Sequence, residues 1–116
     1  MIEQWLAEVK KTADPDGLGM VLVHNGVVRG TSKQGNPVSG MNLSYDEEKL
    51  RRLVREQKRK DGIVDIRVWI NKGELKVGDD IMLVLVAGRF RTDVVPVFDS
   101  LISTIKGEIV KERELG

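Results

Sequence analysis

Two cations bracket one amphipathic stretch of this chain, Arg91 just before it and Lys106 near its far end, and they are the first residues whose types and spacing suggest chemistry. Between them Val94, Phe98, Leu101, Ile102 and Ile105 recur at helical steps, and Ile109 continues the stripe. The stretch from Gly88 to Glu114 therefore reads as the core helix, with Asp93 as its N-cap and Pro96 in its first turn, where a missing N–H costs no hydrogen bond. At the rise of an α-helix the two cations stand on the order of 20 Å apart, too far to grip one small ligand from a single chain. If both serve one site, that site combines two subunits.

Other reactive side chains are scarce. The 116 residues include no cysteine, which excludes disulfides, thiolate-bound zinc, iron–sulfur clusters and a cysteine nucleophile. His24 is the only histidine, so neither a histidine metal cluster nor a Ser/His/Asp triad can be assembled. Lying in an apolar strand beside a turn, His24 reads as a structural or edge residue. The chemistry falls to Lys and Arg. With 19 basic and 18 acidic residues the formal net charge is +1, so any charge-based function is local and bulk electrostatics favour neither nucleic acid nor an anionic membrane.

The elements that must position these cations follow from the patterning. Length fits a single domain, 1–116, with one core. The N-terminus has no apolar signal core, and no stretch approaches the roughly 18 apolar residues of a bilayer span, so a cytoplasmic location is expected. Ile2 to about Lys11 reads as a short helix with Ile2, Trp5, Leu6 and Val9 on one stripe, stopped by Asp14-Pro15-Asp16-Gly17. Trp5 and Trp69 read as core or interface anchors, with core favoured. From Leu18 to Arg29 the residues are strand formers, either a tight hairpin turning at Asn25-Gly26 or one long strand with a bulge at Gly26. Hairpin arms of only about four residues favour the single strand. Gly30 to Gly40 reads as an exposed, mobile loop.

Ser44 and Glu47 form a capping box for a helix reaching about Lys60, with Leu50, Leu53 and Val54 inward. Its many Arg and Lys residues raise nucleic-acid binding, but the pairs Glu47/Arg51, Glu48/Arg52 and Glu56/Lys60 offset much of that charge and rank it last. No Gly-Lys-Ser/Thr ending follows the first strand, so its glycines make no P-loop. Ile63 to Asn71 alternates, with Val64, Ile66, Val68 and Ile70 on one face. Lys72 to Asp80 reads as two turns, and Ile81 to Ala87 as a central strand. The predicted order is helix, strand, helix, strand, strand, helix. It describes an α+β domain with helices packed on a mainly antiparallel sheet.

The order Gly73-Glu74-Leu75, Val77-Gly78-Asp79-Asp80, the apolar strand Ile81 to Ala87, Arg91 opening a long helix and Lys106 near its end resembles the large, catalytic subunit of molybdopterin synthase, the MoaE family. Gly26-Val27-Val28-Arg29 is similar to a Gly-x-Val-Arg strand ending of that family. The resemblance implies a MoaE-like α/β-hammerhead fold and a homodimer that receives the C-terminal Gly-Gly tail of a small ubiquitin-like sulfur carrier. Sulfur would pass from that tail's thiocarboxylate to cyclic pyranopterin monophosphate, in molybdenum cofactor biosynthesis. No cofactor and no metal is implied. Arg29 would bind anion, Lys106 would stand at the transfer site with Lys111 as the nearest counterpart of a second family lysine, and Arg91 would reach in from the other subunit. Phe90-Arg91 and Ile70-Asn71 stand where the family has His-Arg pairs, the Gly40–Tyr45 connection is shorter, and a family arginine on a C-terminal extension has no counterpart before Gly116. These departures imply the alternative of a non-catalytic, dimeric binding module that keeps the fold and has lost turnover.

Overall fold

Six consecutive apolar residues, Met82 to Ala87, are each no more than 4% exposed, because their strand has a neighbour on both edges and helices on both faces. The computed structural model describes residues 1–116. Three strands form the main antiparallel sheet: β1 (Met20–Val27), β3 (Ile63–Ile70) and, between them, β5 (Asp80–Gly88). Met20 lies opposite Gly88 and His24 opposite Val84, while Ile66 of β3 lies opposite Val86. The expected central strand is thus found. So is the single first strand, whose register shifts between Gly26 and Val27 as a bulge requires.

One face of this sheet is covered by α1 (Ile2–Thr12), whose Val9 packs on Leu85 and Ala87 with Trp5 and Leu6 beside it. On the other face lie α2 (Glu47–Lys58) and α3 (Arg91–Thr104), burying Leu50, Val94, Val97 and Leu101 against Ile66, Val84 and Val86. The chain is an α+β fold, as its pattern implied. None of its helices is long and apolar enough to cross a membrane.

A second antiparallel sheet, not expected from the sequence, packs beside the first. Its order is β4 (Gly73–Lys76), β2 (Gly40–Tyr45), β6 (Val110–Leu115). This corrects the reading of Gly88–Glu114 as one helix. The α-helix ends at Thr104, a π-turn spans Ile105–Ile109, and the chain then leaves as a strand whose Tyr45↔Val110 to Gly40↔Leu115 pairing holds it extended. The turn keeps Ile105 and Ile109 both buried, which is why the helical period runs past the helix.

Local corrections share one cause, that tertiary pairing overrides short-range signals. Ser44 belongs to β2, and the cap of α2 is Asp46, whose side chain accepts the Lys49 N–H at 3.0 Å. Of the expected charge pairs on α2 none forms at i,i+4; Arg51 instead meets Glu48 at 2.9 Å. Phe90, with no side-chain cap, precedes α3; Asp93 sits in its first turn and accepts from Arg89 Nε at 3.2 Å, while Pro96 lies inside the helix. Val64 falls in a bulge of β3, so Ile63 takes the inward position there. Lys72–Asp80 contains β4 as well as its turns. The loop 30–40 is tied down rather than open: Thr31 bridges Pro37, and Ser32 and Val38 are both 8% exposed.

Candidate functional site

The course of α3 decides where the four sequence-selected cations fall. Only Arg89 and Phe90 separate β5 from the helix, and its first turn rests on the end of the sheet where Gly88 meets Met20 and Ile63. The contact there is close: a Cβ on Gly88 would stand 2.6 Å from Val94 Cγ2, and one on Gly62 would meet the Asp93 carboxylate. α3 lies over both β5 and β1, with Val94 at the Gly88 end and Leu101 and Ile105 in one core cluster with Leu22, Met82 and Val84, so it runs back along the sheet, against the direction of β5. Arg91 therefore marks one end of the main sheet, and the π-turn with Lys106 lies toward the other.

Arg29 belongs to that second end. The Val28 N–H donates to the Asp79 carbonyl at 2.9 Å, and the Val28 carbonyl accepts from Gly78 N–H at 2.9 Å, anchoring the residues after β1 beside the start of β5. Its guanidinium is exposed and bonds only Thr31 Oγ1 within the chain, at 3.3 Å. Lys106 is exposed too and enters no ion pair. The fold thus places Arg29 and Lys106 toward one end and Arg91 at the opposite one. Along α3 and the turn, Arg91 and Lys106 are separated by roughly 22 Å at the usual helical rise.

Lys111 is displaced from its expected element. It lies on β6 opposite Ser44, exposed, and lines a cleft with Ser44, Tyr45, Asp46, Glu108 and Ile109. The π-turn separates it from Lys106. Lysine near a helix C-terminus is expected from the helix dipole, but Lys111 in a strand has no such explanation.

His24 sits on the edge strand β1, as a structural or edge residue would. Its surroundings carry more than the sequence signalled. Nε2 is buried without a hydrogen-bond partner, and burial first, then the nearby Lys106 charge, lower its pKa below the ordinary value of 6.5. The sequence marked this histidine only by its being the sole one.

Of the two positions where the resembled family has His-Arg pairs, only Ile70-Asn71 serves packing. Ile70 is 5% exposed in the core, and Asn71 Nδ2 donates to the Asp80 carbonyl at 2.9 Å. Phe90 is 59% exposed, with the Arg89 guanidinium carbon 5.0 Å from its ring centre. Arg89, which the sequence reading did not single out, also bonds Asp93 and Asp61. A cleft of about 400 Å³ at the β3 edge gathers Trp5, Leu50, Val54, Ile66 and Val68 under Arg51, Arg55 and Arg67. No group of three or more His, Cys, Asp or Glu converges as a metal site would require.

Comparison with known proteins places these features in a family. The model of the MoaE protein family matches residues 2–108. An uncharacterised protein of Methanocaldococcus jannaschii is 30% identical over 92 residues, spanning 76% of this chain and 77% of that protein. Among solved structures, molybdopterin synthase from Staphylococcus aureus superposes with a TM-score of 0.78 at 21% identity, covering 99% of this chain and 84% of that one. A MoaE protein of molybdopterin biosynthesis from Burkholderia ambifaria gives 0.77 at 21% identity, with 99% and 82% covered. One chain of a complex of subunits 1 and 2 of the molybdopterin-converting factor from Helicobacter pylori gives 0.75 at 16% identity, with 97% and 74% covered.

Proposed function

The chain belongs to the MoaE protein family, and from that premise we propose that it acts in molybdenum cofactor biosynthesis as the large, sulfur-transferring subunit of a molybdopterin synthase. The whole chain would work as one MoaE-like domain and pair with a second copy. A small carrier subunit would dock on it with a C-terminal thiocarboxylate, a reading supported by the two-subunit complex of the Helicobacter pylori protein. The acceptor would be cyclic pyranopterin monophosphate.

The observation that carries this reading is the distribution of cations. Arg29 and Lys106 lie toward one end of the sheet and Arg91 at the other, so a site needing all three takes Arg91 from the second copy. Lys106 would hold and polarise the reacting carbonyl, stabilising the negative charge that develops on it. Arg29 and the second copy's Arg91 would bind the phosphate, for which the guanidinium fork is suited. Lys111, across the π-turn, would flank the path of the carrier tail. The sulfur arrives on the carrier, so the absence of cysteine is no obstacle.

Mixing the protein with a thiocarboxylated carrier and the pyranopterin precursor should yield a dithiolene product. In Lys106→Ala the product should fall by about 100-fold or more, the scale of losing a fixed charge at a reacting centre, with carrier binding retained. Unchanged turnover in that variant would remove Lys106 from the site.

A second reading has its own observation. Ile70 and Asn71 are committed to the core and to the β5 backbone, and Phe90 carries no polar group. A dimeric MoaE-like module that binds the carrier without turning it over fits those substitutions. A stable complex that forms no product would select it.

A further inference from the structure

We propose that His24 is a positioning residue for Lys106: its neutral imidazole offers Nε2 as the acceptor that fixes the lysine ammonium when an anionic ligand is bound. The inference rests on the proposed role of Lys106, and the pairing is argued from the buried, partnerless Nε2, the space Gly26 leaves beside it and the Lys106 charge that acts on it.

His24 shares its face of β1 with Met20 and Leu22, which pack on the core beneath α3. Opposite it stands Val84, fully buried, and the adjoining part of α3 and its turn contributes Leu101, Ile102 and Ile105. All are apolar. Asn25 alternates to the opposite face, and the register shift at Gly26/Val27 lets Asp80, bonded to it at 3.1 Å, lie there too, beside Trp69 and Leu83. Lys106 is the one ionisable group whose charge acts on the imidazole. Glycine at position 26 preserves room on the remaining side, since a Cβ there would stand 3.3 Å from Nε2.

Buried polar atoms in folded proteins almost always have a partner, and an orphan calls for an explanation. Here Nε2 has none, while the charge that reaches the imidazole is the Lys106 ammonium, which can only donate. A neutral imidazole with its proton on Nδ1 has a lone pair on Nε2, which complements that ammonium. Lys106 sits in a π-turn, an irregularity of helices that recurs at functional sites, and its exposed stem is free to reorient. Ligand binding that draws the ammonium inward would complete the missing hydrogen bond. The gain is orientation, because a flexible lysine fixed before reaction loses less freedom during it.

As the only histidine, His24 can be followed alone by nitrogen-15 NMR of labelled imidazole, with inorganic phosphate as the probe. Phosphate should move the Nε2 resonance as acceptance of a hydrogen bond does, in the wild type and not in Lys106→Ala, and the His24 titration midpoint should rise in that variant. Phosphate should bind about tenfold more weakly to His24→Phe, whereas His24→Gln, which keeps an acceptor, should stay within about threefold of wild type. In the product assay the wild type should lose rate as pH falls through the His24 midpoint, below 6.5, and His24→Gln should lack that limb. A proton on Nε2 in the phosphate-loaded protein, or a midpoint indifferent to Lys106, would overturn the pairing. Sulfur transfer with an unresponsive Nε2 would refute this inference and leave the function standing. A responsive Nε2 without sulfur transfer would do the reverse.

Discussion

Arg67 shows how this chain uses charges to hold its elements together. Its guanidinium bonds Asp65 at 2.9 Å and also Glu8 of α1, and Lys58 of α2 reaches Asp65 at 3.2 Å, so the relay Lys58–Asp65–Arg67–Glu8 joins elements from both faces of the sheet at its β3 edge. Burial pushes the Asp65 carboxyl up, but hydrogen bonds from Arg67 and Lys58 outweigh it and hold the group below the ordinary carboxylate range. A depressed folded pKa adds stability above the unfolded value, near 4, that is lost as pH falls through the folded one. Asp65→Asn should therefore lose about 1 kcal/mol at pH 7, a figure kept small because the pair is part-exposed. Denaturant titrations at pH 7 and near pH 2 should show the gap between wild type and variant closing at the acid end. By contrast Arg29, Lys106 and Lys111 enter no ion pair, which leaves their charge available to a ligand.

Elements differ in how plainly the residues announce them. β5 was legible because a strand buried on both faces must be apolar throughout, and α1 because Trp5, Leu6 and Val9 fall on one stripe over Leu85 and Ala87. The second sheet was not legible. Its strands are four to six residues long, and the register that stabilises them, Gly40 against Leu115 and against Lys76, joins segments far apart in sequence. Missing β6 is why Lys111 was read within the core helix rather than on a strand. The two helix starts now make separate predictions. Asp46→Ala should cost about 1 kcal/mol by removing the cap bond to Lys49 N–H. Pro96→Ala should raise stability by about 1–3 kcal/mol, since Pro96 lies inside α3 where an amide could donate along the helix. Thermal unfolding of both variants checks the reading, and a destabilised Pro96→Ala would contradict the placement of the helix start.

At the scale of the whole molecule, the question is whether two copies meet so that the Arg91 end of one lies beside the Arg29 and Lys106 end of the other. Cyclic two-fold pairing would create two equivalent composite sites, each drawing on both copies. Sedimentation should accordingly find a dimer, and Arg91→Ala should lose product while still dimerising and still binding carrier. What the sequence offered toward the proposed site was its cation set. What the sequence withheld was the burial of His24 Nε2 without a partner and the folding of loop 30–40 onto the domain, because both depend on which residues the sheet and the α3 turn bring together. The most direct measurement is complementation in the product assay. Arg91→Ala and Lys106→Ala, each inactive alone, are unfolded together, refolded as a mixture and assayed with thiocarboxylated carrier and pyranopterin precursor. Random pairing makes half the dimers mixed, each with one intact site, so about a quarter of wild-type activity should return. No recovery from a mixture shown to contain mixed dimers would contradict a site shared between two copies.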